Sequence, residues 1–156
     1  MSKMSVYKRY REDLRIMILN ILSKSPKHAY ALMTELEDLF GFRPPTSIIY
    51  PLLRSLYKEG LVKFSEESKG GRKLKIYQLT DSGHYYLERN RSLLEKAMNH
   101  AYKHRLLREV GVSRIFNVLR ELHENIDRLS NEQLEEVKRI IMFFERDLRN
   151  IILLKR

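Results

Sequence analysis

The chain has 156 residues, 43% of them hydrophobic, which is enough for a packed core in one or two small domains and excludes a disordered chain. Thirty Lys plus Arg against 20 Asp plus Glu give a formal charge of +10 and a pI of about 9.8, which favours a polyanionic partner, nucleic acid first and anionic membrane second, over a merely well-solvated surface. Cysteine is absent, excluding disulfides and thiolate metal sites, and with no apolar run of membrane-spanning length and an opening too polar for a secretory signal, the expectation is a soluble, cytoplasmic protein.

In SVYKRYREDLRIMILNILSKSP the apolar residues Leu14, Met17, Ile18, Ile21 and Leu22 recur at helical spacing until Ser25 and Pro26 end the pattern. A second helix follows through Ala29, Leu32, Leu36, Leu39 and Phe40 and stops at Gly41, a good C-terminal glycine. The third, in PPTSIIYPLLRSLYKEG, buries Ile49, Leu52, Leu53 and Leu56 on one side. Ser47, Tyr50, Arg54 and Lys58 line up at three- and four-residue steps on the other, leaving a face for a partner. With Thr46 or Ser47 as N-cap, Pro51 falls at about the fourth helical residue, beside the first-turn amides that have no bond to lose.

After Gly60 the period changes to two: LVKFS and RKLKIYQL read as strands joined by a turn at EESKGG. A hairpin directly after three helices is the wing of a winged helix-turn-helix domain, and Arg72, Lys73 and Lys75 lie where a wing meets phosphate. The other reading of those cations is an edge strand protected from aggregation. The candidate DNA contacts are therefore Thr46, Ser47, Tyr50, Arg54 and Lys58 of the third helix with Arg72, Lys73 and Lys75 of the wing.

From Thr80 or Asp81, either of which suits a cap, a helix of roughly 25 residues is predicted, broken at Gly111. A second amphipathic helix carries Ile115, Phe116, Leu119, Leu122, Ile126 and Leu129, and SNEQ at 130–133 reads as a capping box opening a third. Along that last helix Leu134, Val137, Ile141, Phe144, Leu148 and Ile151 form a three-four stripe, widened by Ile140, Phe143 and Ile152. So wide a stripe exceeds the need of one neighbour and points to a homodimer, the alternative being an internal antiparallel bundle. The fold class is thus mainly α with a small β-hairpin: a winged-helix DNA-binding domain at 1–85 and a helical dimerisation region at 86–156.

His100 and His104 have the i, i+4 spacing of paired metal ligands, but no HExxH pattern or third ligand accompanies them, so solvated histidines are expected and no cofactor or metal is assigned. No nucleophile elbow, phosphate loop or carboxylate pair is present, so the chain reads as a non-enzyme.

IIYPLLRSLYKEGLV followed by GGRKLKIYQLTDSG resembles the PadR family of winged-helix transcriptional regulators over residues 14 to about 87. The motif residues are Tyr50-Pro51 with Leu53 and Leu56, then Gly60-Leu61-Val62, then Tyr77, Leu79, Thr80 and Gly83. Ala29 stands before Tyr30 where the family usually has glycine, and Lys73 where it often has proline. The resemblance implies a homodimer on a pseudo-palindromic double-stranded operator, acting as a repressor, with Tyr50 facing DNA or supporting that face and Pro51 fixing the first turn. It also implies a small-molecule effector in many members, but the tryptophan used by multidrug-sensing members is missing here. Tyr102, Phe116, Phe143 and Phe144 are candidates to line a pocket or to be core. Two alternatives stay open: an architectural nucleic-acid protein without regulatory ligand, and a helical protein-interaction module.

Overall fold

A computed structural model describes residues 3–69 and 71–154. In chain order the elements are α1 (Lys3–Leu22), β1 (Lys27–His28), α2 (Ala29–Phe40), α3 (Thr46–Lys58), β2 (Val62–Lys69), β3 (Arg72–Leu79), α4 (Asp81–Arg89), α5 (Arg91–Glu109), α6 (Val112–Asn125), a 3-10 turn (Ile126–Arg128) and α7 (Asn131–Leu153). The class is mainly helical with one small antiparallel sheet of strand order β1-β3-β2. The chain forms two compact units, Met1–Gly111 and Val112–Arg156.

The first unit is built around α1, in which Leu14, Ile16, Met17, Ile18, Leu19, Ile21 and Leu22 are all buried. A helix apolar on so many sides needs cover on all of them, and α2, α3, α4 and α5 supply it. The unit therefore runs past residue 85, because Ala97 and Ala101 of α5 are buried in the same core. Small side chains four residues apart let α5 lie close along α1. At the end of α2 the left-handed Gly41 donates its N–H to the Glu37 carbonyl at 2.7 Å, and Arg108 of α5 donates to the Gly41 carbonyl.

Three local outcomes differ from the sequence pattern. β1 has only two residues and no periodicity to announce it; it forms because Lys27 and His28 pair with Tyr77 and Ile76 on the free edge of β3. The hairpin extends through EESK, with Glu66 opposite Lys75 and Lys69 opposite Arg72, so the turn shrinks to the residues between them. Glu66 and Lys75 set opposite charges across the ladder where the hairpin projects beyond the core, whereas Lys69 and Arg72 beside the turn are both basic. The single helix predicted from residue 80 is two, α4 and α5, separated at Asn90, whose φ of −112° and ψ of 29° leave the helical region.

α3 ends, and α4 begins, at one shared corner. Thr80 Oγ1 accepts from Gly83 N at 3.0 Å as the N-cap of α4 and donates to the Gly60 carbonyl at 2.6 Å. Thr80 N donates to the Leu61 carbonyl at 3.1 Å, and Leu61 N to the Leu56 carbonyl at 3.0 Å. Gly83 is buried here. A Cβ on it would stand 2.2 Å from the Leu61 carbonyl oxygen and 2.6 Å from Leu79 Cδ1.

Within the second unit the capping box is present as read, Ser130 Oγ accepting from Gln133 N and Gln133 Oε1 from Ser130 N. Neither α6 nor α7 buries a single described residue.

Gly83→Ala should lower folding stability by about 1–3 kcal/mol, because the methyl meets backbone that can move only by opening the corner. Thermal unfolding followed by circular dichroism measures it. A wild-type midpoint would mean that the corner yields freely.

Candidate nucleic-acid interface

The N-cap of α3 is Pro45, in extended conformation, and no side chain caps the helix. The Pro45 carbonyl accepts from Ile48 N at 3.0 Å and Ile49 N at 3.2 Å. Thr46 and Ser47, expected as caps, are instead the first two helical residues, because two prolines already hold the approach extended and start the turn earlier. Their side chains stay exposed and uncommitted to capping. Pro51 becomes the sixth helical residue, not the fourth, so it lies beyond the first turn and deprives the Ser47 carbonyl of its N–H partner.

Ile49, Leu52, Leu53 and Leu56 face the core, and Tyr50, Arg54 and Lys58 point outward on the opposite side. Thr46, Ser47, Tyr50, Pro51, Arg54, Ser55 and Lys58 line one open concavity along the helix. It contains no acidic side chain. Glu59 at the C-cap is already engaged: Arg15 Nη1 of α1 donates to it at 2.7 Å and Ser55 Oγ at 2.7 Å. The bond from the Arg15 guanidinium, helped by the Ser55 hydroxyl, holds the Glu59 carboxyl below its ordinary range.

The wing residues fare differently from one another. Lys75 joins Tyr50, Leu53, Arg54, Tyr57, Lys58, Phe64 and Tyr77 around a crevice of about 460 Å3 between α3 and the hairpin. Lys73 is highly exposed and lies 3.9 Å from Glu66. The Arg72 side chain lies outside the described residues. Phe64 and Tyr57 were not singled out from the sequence, although pairing the two arms about a two-residue turn would have placed Phe64 opposite Tyr77. Burial, with Tyr50 close by, raises the Tyr77 hydroxyl above its ordinary pKa.

On α7, Leu134 and Val137 are half-buried, and Ile141, Phe144, Leu148 and Ile151 are exposed, Ile151 by 64%. An apolar groove of about 420 Å3 separates α6 from α7, lined among others by Ile115, Leu119, Leu122, Val137, Ile141 and Phe144. Tyr102, Phe116, Phe143 and Phe144 are at least 43% exposed, so none of them is core in this chain.

The histidines are not simply solvated. His100 Nδ1 lies 2.9 Å from Oδ2 of the buried Asp13, joining α5 to α1, while His104 packs edge-on against Phe42. Beside them the Tyr10 hydroxyl is buried without a partner among the described residues, and burial pushes its pKa up to about 12. Among the described residues no group of three His, Asp or Glu side chains is placed to hold a metal ion.

Residues 18–89 match the family model described as the transcriptional regulator PadR-like family. The transcriptional regulator YqjI of Escherichia coli K12 is 35% identical over 85 residues, covering 53% of this chain. The chain spans only 40% of that relative's length. A solved Thermoplasma acidophilum protein, described as a transcriptional regulator, is 30% identical with a TM-score of 0.50, over 55% of this chain and 84% of that one. A PadR family transcriptional regulator from Eggerthella lenta is 27% identical with a TM-score of 0.52, over 64% and 87%.

Pro51→Ala should stabilise the protein by about 2 kcal/mol, the gain from a restored helical bond exceeding the smaller entropic advantage that proline gives through the unfolded chain. Calorimetry decides this. Unchanged or reduced stability would show that α3 has already bent to relieve the ring.

Proposed function

The chain belongs to the PadR-like family of transcriptional regulators, and on that premise we propose that it binds double-stranded operator DNA as a homodimer and represses transcription. The observation that carries this reading is the outer face of α3, where Thr46, Ser47, Tyr50, Arg54 and Lys58 line one acid-free concavity. A helix with exposed hydroxyls at its start and cations further along suits the major groove: the hydroxyls and the N-terminal amides meet phosphate or base edges, and Arg54 reaches a guanine edge. The wing, through Lys73 and Lys75 and the Arg72 position, supplies sequence-independent contacts to the backbone or minor groove. The family is one of regulators, not enzymes. No described helix is long and apolar enough to cross a membrane, in keeping with work beside DNA in the cytoplasm.

We assign DNA binding to residues 1–85 and dimerisation to the region 86–156, in which α5 completes the core of the first unit and α7 is the principal contact through Leu134, Val137, Ile141, Phe144, Leu148 and Ile151. The physical support is that the 112–156 unit buries none of its described helical side chains, and a segment so short cannot stand alone without a partner. A second copy offering the same stripe satisfies both, and a two-fold dimer matches a pseudo-palindromic operator.

Genomic fragments selected by the protein should share one pseudo-palindrome. On that site Arg54→Ala should lose more affinity than on random DNA, by about 1–3 kcal/mol for one guanine pair. Equal losses on both would make Arg54 a phosphate contact, and wild-type indifference to sequence would favour an architectural role. Ile141→Glu places two carboxylates in an apolar seam, where even a neutral unpaired group costs about 1–3 kcal/mol. Sedimentation should show it monomeric, with full-site affinity collapsing toward that of a half-site. A mutant that stays dimeric would move the contact away from this stripe.

A further inference from the structure

We infer that Phe64 is a positioning residue for DNA binding: its ring draws the Lys75 ammonium out of cross-strand ion pairing and holds it beside Arg54 and Lys58, making one three-cation phosphate site from strand and helix. The inference rests on the DNA-binding reading above and adds to it which side chain builds the site.

Register makes the placement of Lys75 informative. Its direct partner across the ladder is Glu66, and such opposite-charge neighbours on one face ordinarily pair. Here Glu66 is taken by Lys73 instead, at 3.9 Å. Lys75 Nζ lies 4.1 Å from the centroid of Phe64, two residues nearer the core on the same face. Phe64 is itself braced by Tyr57 of α3 at 5.0 Å and by Tyr77 at 5.9 Å between centroids, and it packs against the hydrophobic core. The ring is therefore a fixed platform, and a cation over its face keeps its charge while losing rotamer freedom in advance of binding.

The platform faces the crevice shared by Tyr50, Arg54, Lys58 and Lys75, whose lining contains no carboxylate. Three like charges gathered without an acid repel one another, and an anion entering the crevice relieves that repulsion. A backbone phosphate provides the charge and several acceptor oxygens for an ammonium, a guanidinium and the nearby tyrosine hydroxyl. Lys75 thus works with α3, whereas Lys73, paired with Glu66 and 81% exposed, belongs to the outer hairpin.

The test is a double-mutant cycle on the full chain with Phe64→Leu and Lys75→Met, titrating operator and random DNA over a range of salt. Lys75→Met should weaken both DNAs alike and make the salt slope shallower by about 0.9, one phosphate contact. Phe64→Leu should weaken binding about two- to fivefold and add nothing once Lys75 is Met. Effects that multiply would overturn the role of Phe64. Two measurements avoid any loss of packing in the leucine variant. Pentafluorophenylalanine at 64, which reverses the ring's electrostatic face at similar shape, should give the same loss in binding. In the unmodified protein without DNA, the Lys75 side-chain protons should be displaced upfield by the ring current, and random-coil shifts would sink the proposal. Wild type that binds no DNA would instead overturn the DNA-binding reading itself, a result separable from the ring-current signal.

Discussion

One corner of backbone, where Gly60 and Leu61 meet Thr80 and Gly83, determines the geometry of everything assigned to DNA. Thr80 is bonded at once to the Gly60 carbonyl, the Leu61 carbonyl and the amide of Gly83. The strand that leaves α3 and the strand that returns to α4 are thereby held together at their roots, and the hairpin emerges at a fixed angle to the helix. Only a residue without Cβ allows α4 to approach the Leu61 carbonyl so closely. Lys75 sits beside Arg54 because of this junction, four residues along β3 from the anchored Leu79.

Much of this was legible in the sequence where the signal is local. Gly41 as a helix-stopping glycine, Thr80 as one of two candidate caps, the SNEQ box and the buried stripe of α3 each depend on residues within one or two turns, and all stand in the structure, with Asp81 the first residue of α4 instead of its cap. β1 was not legible, since two residues show no period and become strand only through a partner far along the chain. Nor was the break at Asn90, because the apolar pattern continues across it on both sides. The cap of α3 was misplaced for a different reason: hydroxyl residues are the commoner caps, and the paired prolines before them overrode the preference. The side-chain partners of Lys75 and His100 were out of reach, since each depends on how elements pack and not on spacing.

The two compact units differ in where their stability comes from. The first has a continuous core from α1 to α5, together with ties such as Arg15 to Glu59 that join helix ends on its surface. Those surface ties contribute little by comparison with the burial beneath them. In the second, well-formed helix signals and i, i+3 or i, i+4 ion pairs such as Glu145 with Arg149 stabilise individual helices, while its apolar side chains remain open. Good local helices with an uncovered stripe are what a chain needs if packing is to be completed by association, and they keep the unfilled face ordered until then.

The two-residue strand β1 bears on how the domain assembles. It pairs Lys27 with Tyr77, contacts separated by nearly the whole of α2, α3 and the hairpin, whereas β2 and β3 meet across a tight turn. Closing so distant a pair early would cost loop entropy for very little bonding, so helices and hairpin form first and β1 joins afterwards. Its position makes it a clasp: it ties the beginning of α2 to the middle of the sheet and is the weakest link in that sheet. Opening it would release the N-terminal end of the helix-turn-helix from the wing without disturbing the burial of α1, a low-energy excursion that amide exchange can resolve from global unfolding.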